Sequence, residues 1–391
     1  MPHSSLRHEA LEAPASGIIE VFDYGRNREG LIPLWVGEGD MATPAFIAEA
    51  ATRALAAGET FYTYQSGLPE LRQAISTYMS GLYGRTIPME RFHVTIGGMH
   101  AIQLALRMVV GTDNEVIIPT PAWPNFRGAA GLSGARPVDV PMSFVPRGND
   151  HVWALDMDRI ADAITPKTRA IVINSPSNPT GWTATMEELQ QVLDLSRKHG
   201  LWIISDEIYG RFVYDGSKRA PSFHDIMNDR DRIMFAQTFS KNWAMTGWRI
   251  GWLECPVALG PTVENLIQYS SSGVAAFLQR AGIAALQQGE SFVEHQIARA
   301  REGREIVSKG LADTGRVTFG AIDGAFYLFF KVEGIEDTRK LAMQLVDEAN
   351  VGLAPGSAFG SGAEHYLRMC FARKPEDMRE ATRRLAAVLS R

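Results

Sequence analysis

The sequence predicts an α/β protein: a large domain with a doubly wound, mostly parallel sheet, followed by a smaller α+β domain. Three observations predict it. Short, β-branched and almost continuously apolar runs at 93–96, 115–119, 170–174, 201–205 and 232–236 suit parallel strands covered on both faces. Helical stretches at 44–57, 68–83, 99–110 and 186–199 alternate with those runs, as βαβ units require. After about residue 285 the pattern changes to a long amphipathic helix over 291–312, then strand, helix, strand and a terminal helix.

In chain order, the first 30 residues are polar and irregular, ending in Arg26-Asn-Arg-Glu-Gly30, and are expected to form an arm rather than a core element. The expected division is an arm and part of the small domain over 1–45, the large domain over 46–285 and the small domain over 286–391. No repeat, low-complexity tract or linker separates them, so close packing is expected.

Composition narrows the function. With 391 residues and 45% hydrophobic content the chain can bury one large core or two. A formal net charge of −5 leaves no basic excess for a nucleic-acid backbone. Cys255 and Cys370 are too few for a disulfide framework, and no Cys/His pair has zinc spacing. There is no charged start followed by an apolar run, and no run near the ~18 residues of a membrane span. A soluble protein of a reducing compartment, most simply the cytoplasm, is expected.

Ligands of open α/β sheets sit outside the carboxyl ends of the strands, and each loop there carries a useful residue. Gly97-Gly98-Met99 opens a helix, where backbone amides and the helix dipole favour an anion. Trp123, in the rigid Pro119-Thr-Pro-Ala-Trp-Pro-Asn125, can stack on a flat ring. Ser175-Pro-Ser-Asn-Pro-Thr-Gly181 is a fixed turn from which Asn178 can donate its amide. Asp206 closes the apolar run Leu201-Trp-Ile-Ile-Ser205, a costly place for an acid without a partner, and Tyr209 follows it. Plain alternatives stay open: an ordinary strand-to-helix turn, a packed tryptophan, and a helix-capping acid.

The most informative segment is Thr238-Phe-Ser-Lys-Asn-Trp-Ala-Met-Thr-Gly-Trp-Arg-Ile-Gly-Trp252. Lys241 stands among Phe239, Trp243, Met245, Trp248 and Trp252, and burial weakens a lysine's preference for its charge. A deprotonated amine can form a Schiff base with a carbonyl. Thr238, Ser240 and Arg249 are what a phosphate needs. An aldehyde and a phosphate on one ligand describe pyridoxal 5'-phosphate (PLP), and a protonated pyridine nitrogen would partner Asp206. Arg368, in His365-Tyr-Leu-Arg-Met-Cys-Phe371, has the fork that suits a carboxylate, with an exposed strand charge as the alternative.

These residues resemble the class I/II aminotransferases of PLP fold type I, the aspartate aminotransferase superfamily, from about Ser16 to the C-terminus. Ser-Pro-Ser-Asn-Pro-Thr-Gly181, Ser-Asp-Glu-Ile-Tyr209 and the segment from Ser240-Lys241 to Arg249 carry the resemblance most specifically. It implies that Lys241 forms the aldimine with PLP, that Asp206 pairs with the pyridinium, and that Asn178 and Tyr209 contact the phenolic oxygen. Trp123 is then the stacking aromatic, and Thr238, Ser240, Arg249, Gly98 and Met99 hold the phosphate. Arg368 and the backbone at Gly37 would bind the substrate α-carboxylate. Tyr62 matches a tyrosine that reaches the phosphate of the neighbouring subunit, with Tyr64 close enough to serve instead, so a homodimer with shared sites is implied.

Two departures stand out. Gly39 and Met41, in Gly37-Glu-Gly-Asp-Met41, replace the family's usual proline and phenylalanine, and Tyr269-Ser-Ser-Ser-Gly-Val274 carries no arginine for a second substrate carboxylate. The expected reaction moves the α-amino group of an L-amino acid to a 2-oxo acid. The alternative within the fold is a PLP-dependent C–S β-lyase or another Cα-elimination enzyme. A PLP-sensing regulator would need a DNA-binding module that the polar N-terminus does not supply, and a nicotinamide enzyme would need an early Gly-x-Gly-x-x-Gly. Phe61, Tyr64, Trp123 and Phe359 permit an aromatic or aliphatic substrate side chain, and equally permit packing around the cofactor.

Overall fold

The computed structural model describes residues 6–11, 13 and 17–390. Part of the expected arm (1–5, 12 and 14–16), including the Ser16 limit of the resemblance, and the final Arg391 lie outside them.

Seven strands form the main sheet: β1 (Phe92–Thr95), β2 (Glu115–Thr120), β3 (Arg136–Pro141), β4 (Thr168–Asn174), β5 (Trp202–Asp206), β6 (Ile233–Thr238) and β7 (Gly251–Glu254). Their spatial order is β1-β7-β6-β5-β4-β2-β3. All pairings are parallel except those of β7, which runs antiparallel to both neighbours. The apolar runs follow from burial on both faces, since successive side chains point to opposite sides. Val116 and Ile118 face the helices Gly97–Val109 and Pro124–Leu132, whereas Ile117 packs on the other side with Leu189, Val192 and Leu193 of the helix Met186–His199. That helix begins with a reciprocal cap between Thr185 and Glu188 and ends at Gly200 in the left-handed region.

The second sheet is antiparallel, formed by β8 (Val317–Phe319), β9 (Tyr327–Val332), β10 (Ala354–Pro355) and β11 (Tyr366–Cys370) in the order β8-β9-β11-β10. The helices Glu290–Ala312, Thr338–Ala349 and Pro375–Leu389 bury Val307, Leu345 and Leu385 in the core beside it. This core is continuous with one face of the large sheet.

The expectation of a non-core arm needs correction. Residues Gly17–Gly25 form a helix whose Val21 is fully buried, with Ile18 and Phe22 packed against the same core. The spacing of 18, 21 and 22 is one helical face, short enough to be hidden among polar neighbours. Tyr24 also donates to Asp347 at 3.0 Å.

Residues 34–43 run from the small sheet to the loop that follows the turn Phe239–Asn242. Leu34 N–H donates to Gly352 O and Leu34 O accepts from Cys370 N–H, whereas Thr43 Oγ1 donates to Ala244 O. Between these anchors, Asp40 accepts from Lys374 N–H and pairs with Arg299 at 2.9 Å. Glu38 accepts the Thr246 hydroxyl at 3.0 Å.

Candidate active site

The loops at the carboxyl ends of the parallel strands meet the 34–43 segment and the small sheet around a cavity of about 330 Å3. Lys241 sits in the single-turn helix Phe239–Asn242 directly after β6. Thr238 caps that turn by accepting Ser240 N–H at 3.1 Å, and its hydroxyl lies 2.8 Å from Ser240 Oγ. The buried rings of Phe239 and Trp243, 5.1 Å apart, fix the turn from behind. Lys241 Nζ reaches across the seam and donates to Gly37 O at 2.7 Å. Burial pulls the ammonium down to about 8, opposed by the nearby Cys370 and Glu38 and aided by Arg368 and Arg249.

Asp206 ends β5 at 1% exposure. Its Oδ1 accepts Ile208 N–H at 3.3 Å, but its Oδ2 is buried without a partner. Desolvation pushes the carboxyl up to about 7, with the Ile208 amide and Lys241 acting the other way. The neighbouring acid Glu207 is in a different situation: the hydroxyls of Ser205, Ser222 and Tyr83 all donate to it within 3.0 Å. Adjacent acids thus have opposite hydrogen-bond status, and only Asp206 lines the cavity.

Arg368, on β11, is 3% exposed. Its guanidinium donates to Trp35 O and, at 3.0 Å, to Asn178 Oδ1, with Phe359 and Tyr327 rings 5.0 and 4.8 Å away. Its Nε has no partner, and no carboxylate of the described residues pairs with it. Asn178 is positioned by its own N–H, which donates to Asn174 Oδ1 at 2.8 Å, while Asn174 Nδ2 donates to Asp206 O. With Oδ1 turned to Arg368, the Asn178 amide group is left as a donor.

The opposite end of the cavity is suited to an anion. Gly98 and Met99 lie in the first turn of the 13-residue helix Gly97–Val109. Arg249, held at φ 54 in the left-handed region, donates to Thr246 O at 2.8 Å and packs on Gly97. A Cβ on Gly97, itself at φ +73, would come 2.7 Å from Arg249 Nη2, so only glycine allows this approach. Trp123, at the start of the helix Pro124–Leu132, packs edge-on against Phe126 and presents its remaining surface to the cavity.

Tyr209 and Tyr327 were not equally visible in the sequence. The Tyr209 and Tyr327 hydroxyl oxygens lie 2.7 Å apart, and burial raises both hydroxyls above their ordinary range. Tyr327, on β9, is a site residue that no sequence motif singles out, and a Cβ on Gly37 would collide with its hydroxyl. A phenol inside the apolar run Phe326-Tyr-Leu-Phe-Phe330 was the available signal. The wall also holds Ile18, Val36, Glu38 and Thr246.

Tyr62 and Tyr64 are not brought to this cavity. They are 94% and 64% exposed, on a surface loop beside residues 271–276. Phe61 is also exposed there and Tyr269 is exposed near the end of the helix Gly260–Ser270, whereas Phe359 is buried against Phe329.

The family model described as aminotransferase class I and II matches residues 29–385. The chain belongs to the class I and II aminotransferases. It is 35% identical to an aspartate aminotransferase of Pyrococcus horikoshii over 96% of this chain and 94% of that protein. It is 34% identical to aromatic-amino-acid aminotransferase 2 of Thermococcus litoralis, over 96% and 95%. A single mutant of Thermus thermophilus aspartate aminotransferase superposes with a TM-score of 0.88 at 30% identity, over 98% of this chain and 100% of the other. The aminotransferase fold thus accounts for the two sheets, and the enzyme moves an amino group between an amino acid and a 2-oxo acid. Among the described residues no helix is long and apolar enough to cross a membrane, and no group of acids, histidines and cysteines could hold a metal ion.

Proposed function

We propose that this aminotransferase binds PLP in the cavity, with Lys241 as the amine that bonds its aldehyde carbon and Asp206 as the partner of its ring nitrogen. The observation that carries the reading is Asp206 Oδ2, a buried and unpartnered oxygen on the same wall as Lys241. A protonated ring nitrogen is the donor that this oxygen lacks, whereas the satisfied Glu207 needs none. The rest of the cavity fits the same ligand. Ser240, Thr238, Arg249 and the amides of Gly98 and Met99 offer donors for the phosphate. Trp123 offers a ring to stack on, and Asn178 and Tyr209 offer donors for the phenolic oxygen.

When bound, PLP supplies a carbon that takes up the amino group and a ring that receives the electron pair left at Cα. The protein does the remainder. Arg368, already oriented by Trp35 O and Asn178, holds the substrate α-carboxylate beside the Gly37 backbone. Lys241, whose amine burial holds below its ordinary range, would, once the substrate amine has displaced it from the aldehyde carbon, take the Cα proton and return it at that same carbon.

The reading extends to a homodimer in which Tyr62, or Tyr64 beside it, serves the partner's phosphate. The cluster of exposed aromatic residues at 61–64 and 269 supports it, since such a patch is costly in water. A cytoplasmic location is proposed on the two buried, free cysteines, which suit a reducing compartment.

The test is the visible spectrum of the PLP-loaded protein, recorded before and after adding single L-amino acids without an oxo acid, on a sample whose mass is checked by sedimentation. Conversion to the pyridoxamine form by a dimer is expected. A cofactor band that no amino acid converts, or a fully active monomer, would contradict the respective part. A further expectation concerns the clamp: Arg368→Lys should raise KM for the amino donor about 100-fold and change kcat much less, because an ammonium cannot reproduce the fork. Steady-state kinetics at varied donor concentration would show it, and an unchanged KM would remove Arg368 from carboxylate binding.

A further inference from the structure

We infer that the amino donor has an uncharged, apolar side chain, aliphatic or aromatic, and that dicarboxylic amino acids are poor donors. This rests on the proposed reading of Arg368 as the α-carboxylate clamp. Among the described residues, the cavity wall carries three Lys or Arg side chains, and each is committed. Lys241 donates to Gly37 O. Arg249 stands at the helix start on Gly97, at the anion end. Arg368 is held between Trp35 O and Asn178. A second substrate carboxylate, one or two methylenes beyond Cα, therefore meets no uncommitted cation on this chain.

The wall near the clamp adds two further arguments. Beside Asp206, its other carboxylate belongs to Glu38, three residues after the carbonyl that holds Arg368 and anchored by the Thr246 hydroxyl at 3.0 Å. Like charges brought together in a desolvated site are strongly unfavourable. The same wall presents Val36, adjacent in sequence to Trp35, and Ile18 from the helix Gly17–Gly25, both of which gain by covering an apolar side chain.

The loops on the surface patch of the proposed dimer bring no cation of their own. The two loops on its exposed aromatic patch, residues 60–64 and 269–274, contain hydroxyls and rings but neither lysine nor arginine. A partner contributing those loops would bring contact surface and hydrogen bonds to the site, without a cation.

The experiment uses the PLP-loaded protein and two readouts. The first is the second-order rate constant for spectral conversion by leucine, methionine, phenylalanine, aspartate, glutamate and lysine, each alone. The apolar donors are expected to exceed aspartate and glutamate by at least about tenfold. The second is equilibrium binding of unreactive carboxylates by calorimetry. Here 4-methylpentanoate or 3-phenylpropanoate should bind at least about tenfold tighter than maleate or glutarate. Aspartate, glutamate or lysine as the fastest donor, or tighter binding of the dicarboxylates, would overturn the inference and leave transamination standing. Absence of conversion with every amino acid would instead overturn the proposed function, and the binding order would still decide the side-chain preference.

Discussion

Replacing Lys241 with alanine is expected to lower kcat for amino transfer by at least about 10^4-fold while the protein remains folded. A positioned proton-transfer group alone contributes about 10^2–10^4-fold, and Lys241 is also the only lysine on the cavity wall among the described residues. The stability effect should run the other way. Its ammonium titrates near 8 instead of 10.5 because burial disfavours the charge. Between those values the unfolded chain binds more protons than the folded one, so stability rises with pH across that window. Below pH 8 the lysine is charged and its burial penalty is fully present. Lys241→Ala should therefore raise the unfolding temperature of the cofactor-free protein at pH 7, and the gain should shrink toward pH 10. Single-turnover kinetics and calorimetry test the two halves; transamination within tenfold of the wild type would refute the role of Lys241.

A second large effect is expected at Asp206. Asp206→Asn keeps the shape and removes the negative charge that would face the ring nitrogen. Loss of one such preorganised electrostatic partner typically lowers kcat by about 10^2–10^3-fold. In the cofactor-free protein the carboxyl titrates near 7 instead of 3.8, chiefly through desolvation. Between these values the folded state holds the extra proton, so stability falls as pH rises and the penalty is complete above pH 7. Above pH 7 the ionised Asp206 therefore destabilises the empty protein. The asparagine variant should thus melt higher than the wild type at pH 8 and nearly equal to it at pH 4. Saturating PLP should erase the difference by giving the wild-type carboxylate its partner. A wild-type protein that melts at the same temperature as the variant at pH 8 would refute this account of Asp206.

Much of the site was legible because strand-end loops advertise themselves. A glycine pair before a helix, a prolined turn, an acid closing an apolar strand and a lysine among tryptophans are all local signals, and the parallel topology brings them to one edge. What stayed hidden depends on distant pairing. Tyr209 and Tyr327 meet across 118 residues of chain, and Arg368 reaches the Trp35 carbonyl across 333. A backbone carbonyl, moreover, leaves no mark in residue type. The antiparallel β7 and the edge strand β3 leave little trace in the sequence for a related reason. Gly251–Glu254 is too short to show a period, and Arg136–Pro141 mixes prolines and charges in the manner of an edge. The helix Gly17–Gly25 was masked by polar neighbours that point to solvent.

The segment 34–43 is bolted to the small sheet at Leu34, to the helices Glu290–Ala312 and Pro375–Leu389 at Asp40, and to the loop after the Lys241 turn at Thr43, with Lys241 hanging from its middle at Gly37. It works as a mechanical linkage. A rotation of one sheet against the other would load these ten residues, in which Gly37 and Gly39 have the freest backbone. The acceptor that tethers the Lys241 amine is therefore mounted on the part of the chain that a relative movement would strain first. A shift of this segment would carry the Gly37 carbonyl with it, and so move the anchor of the Lys241 amine.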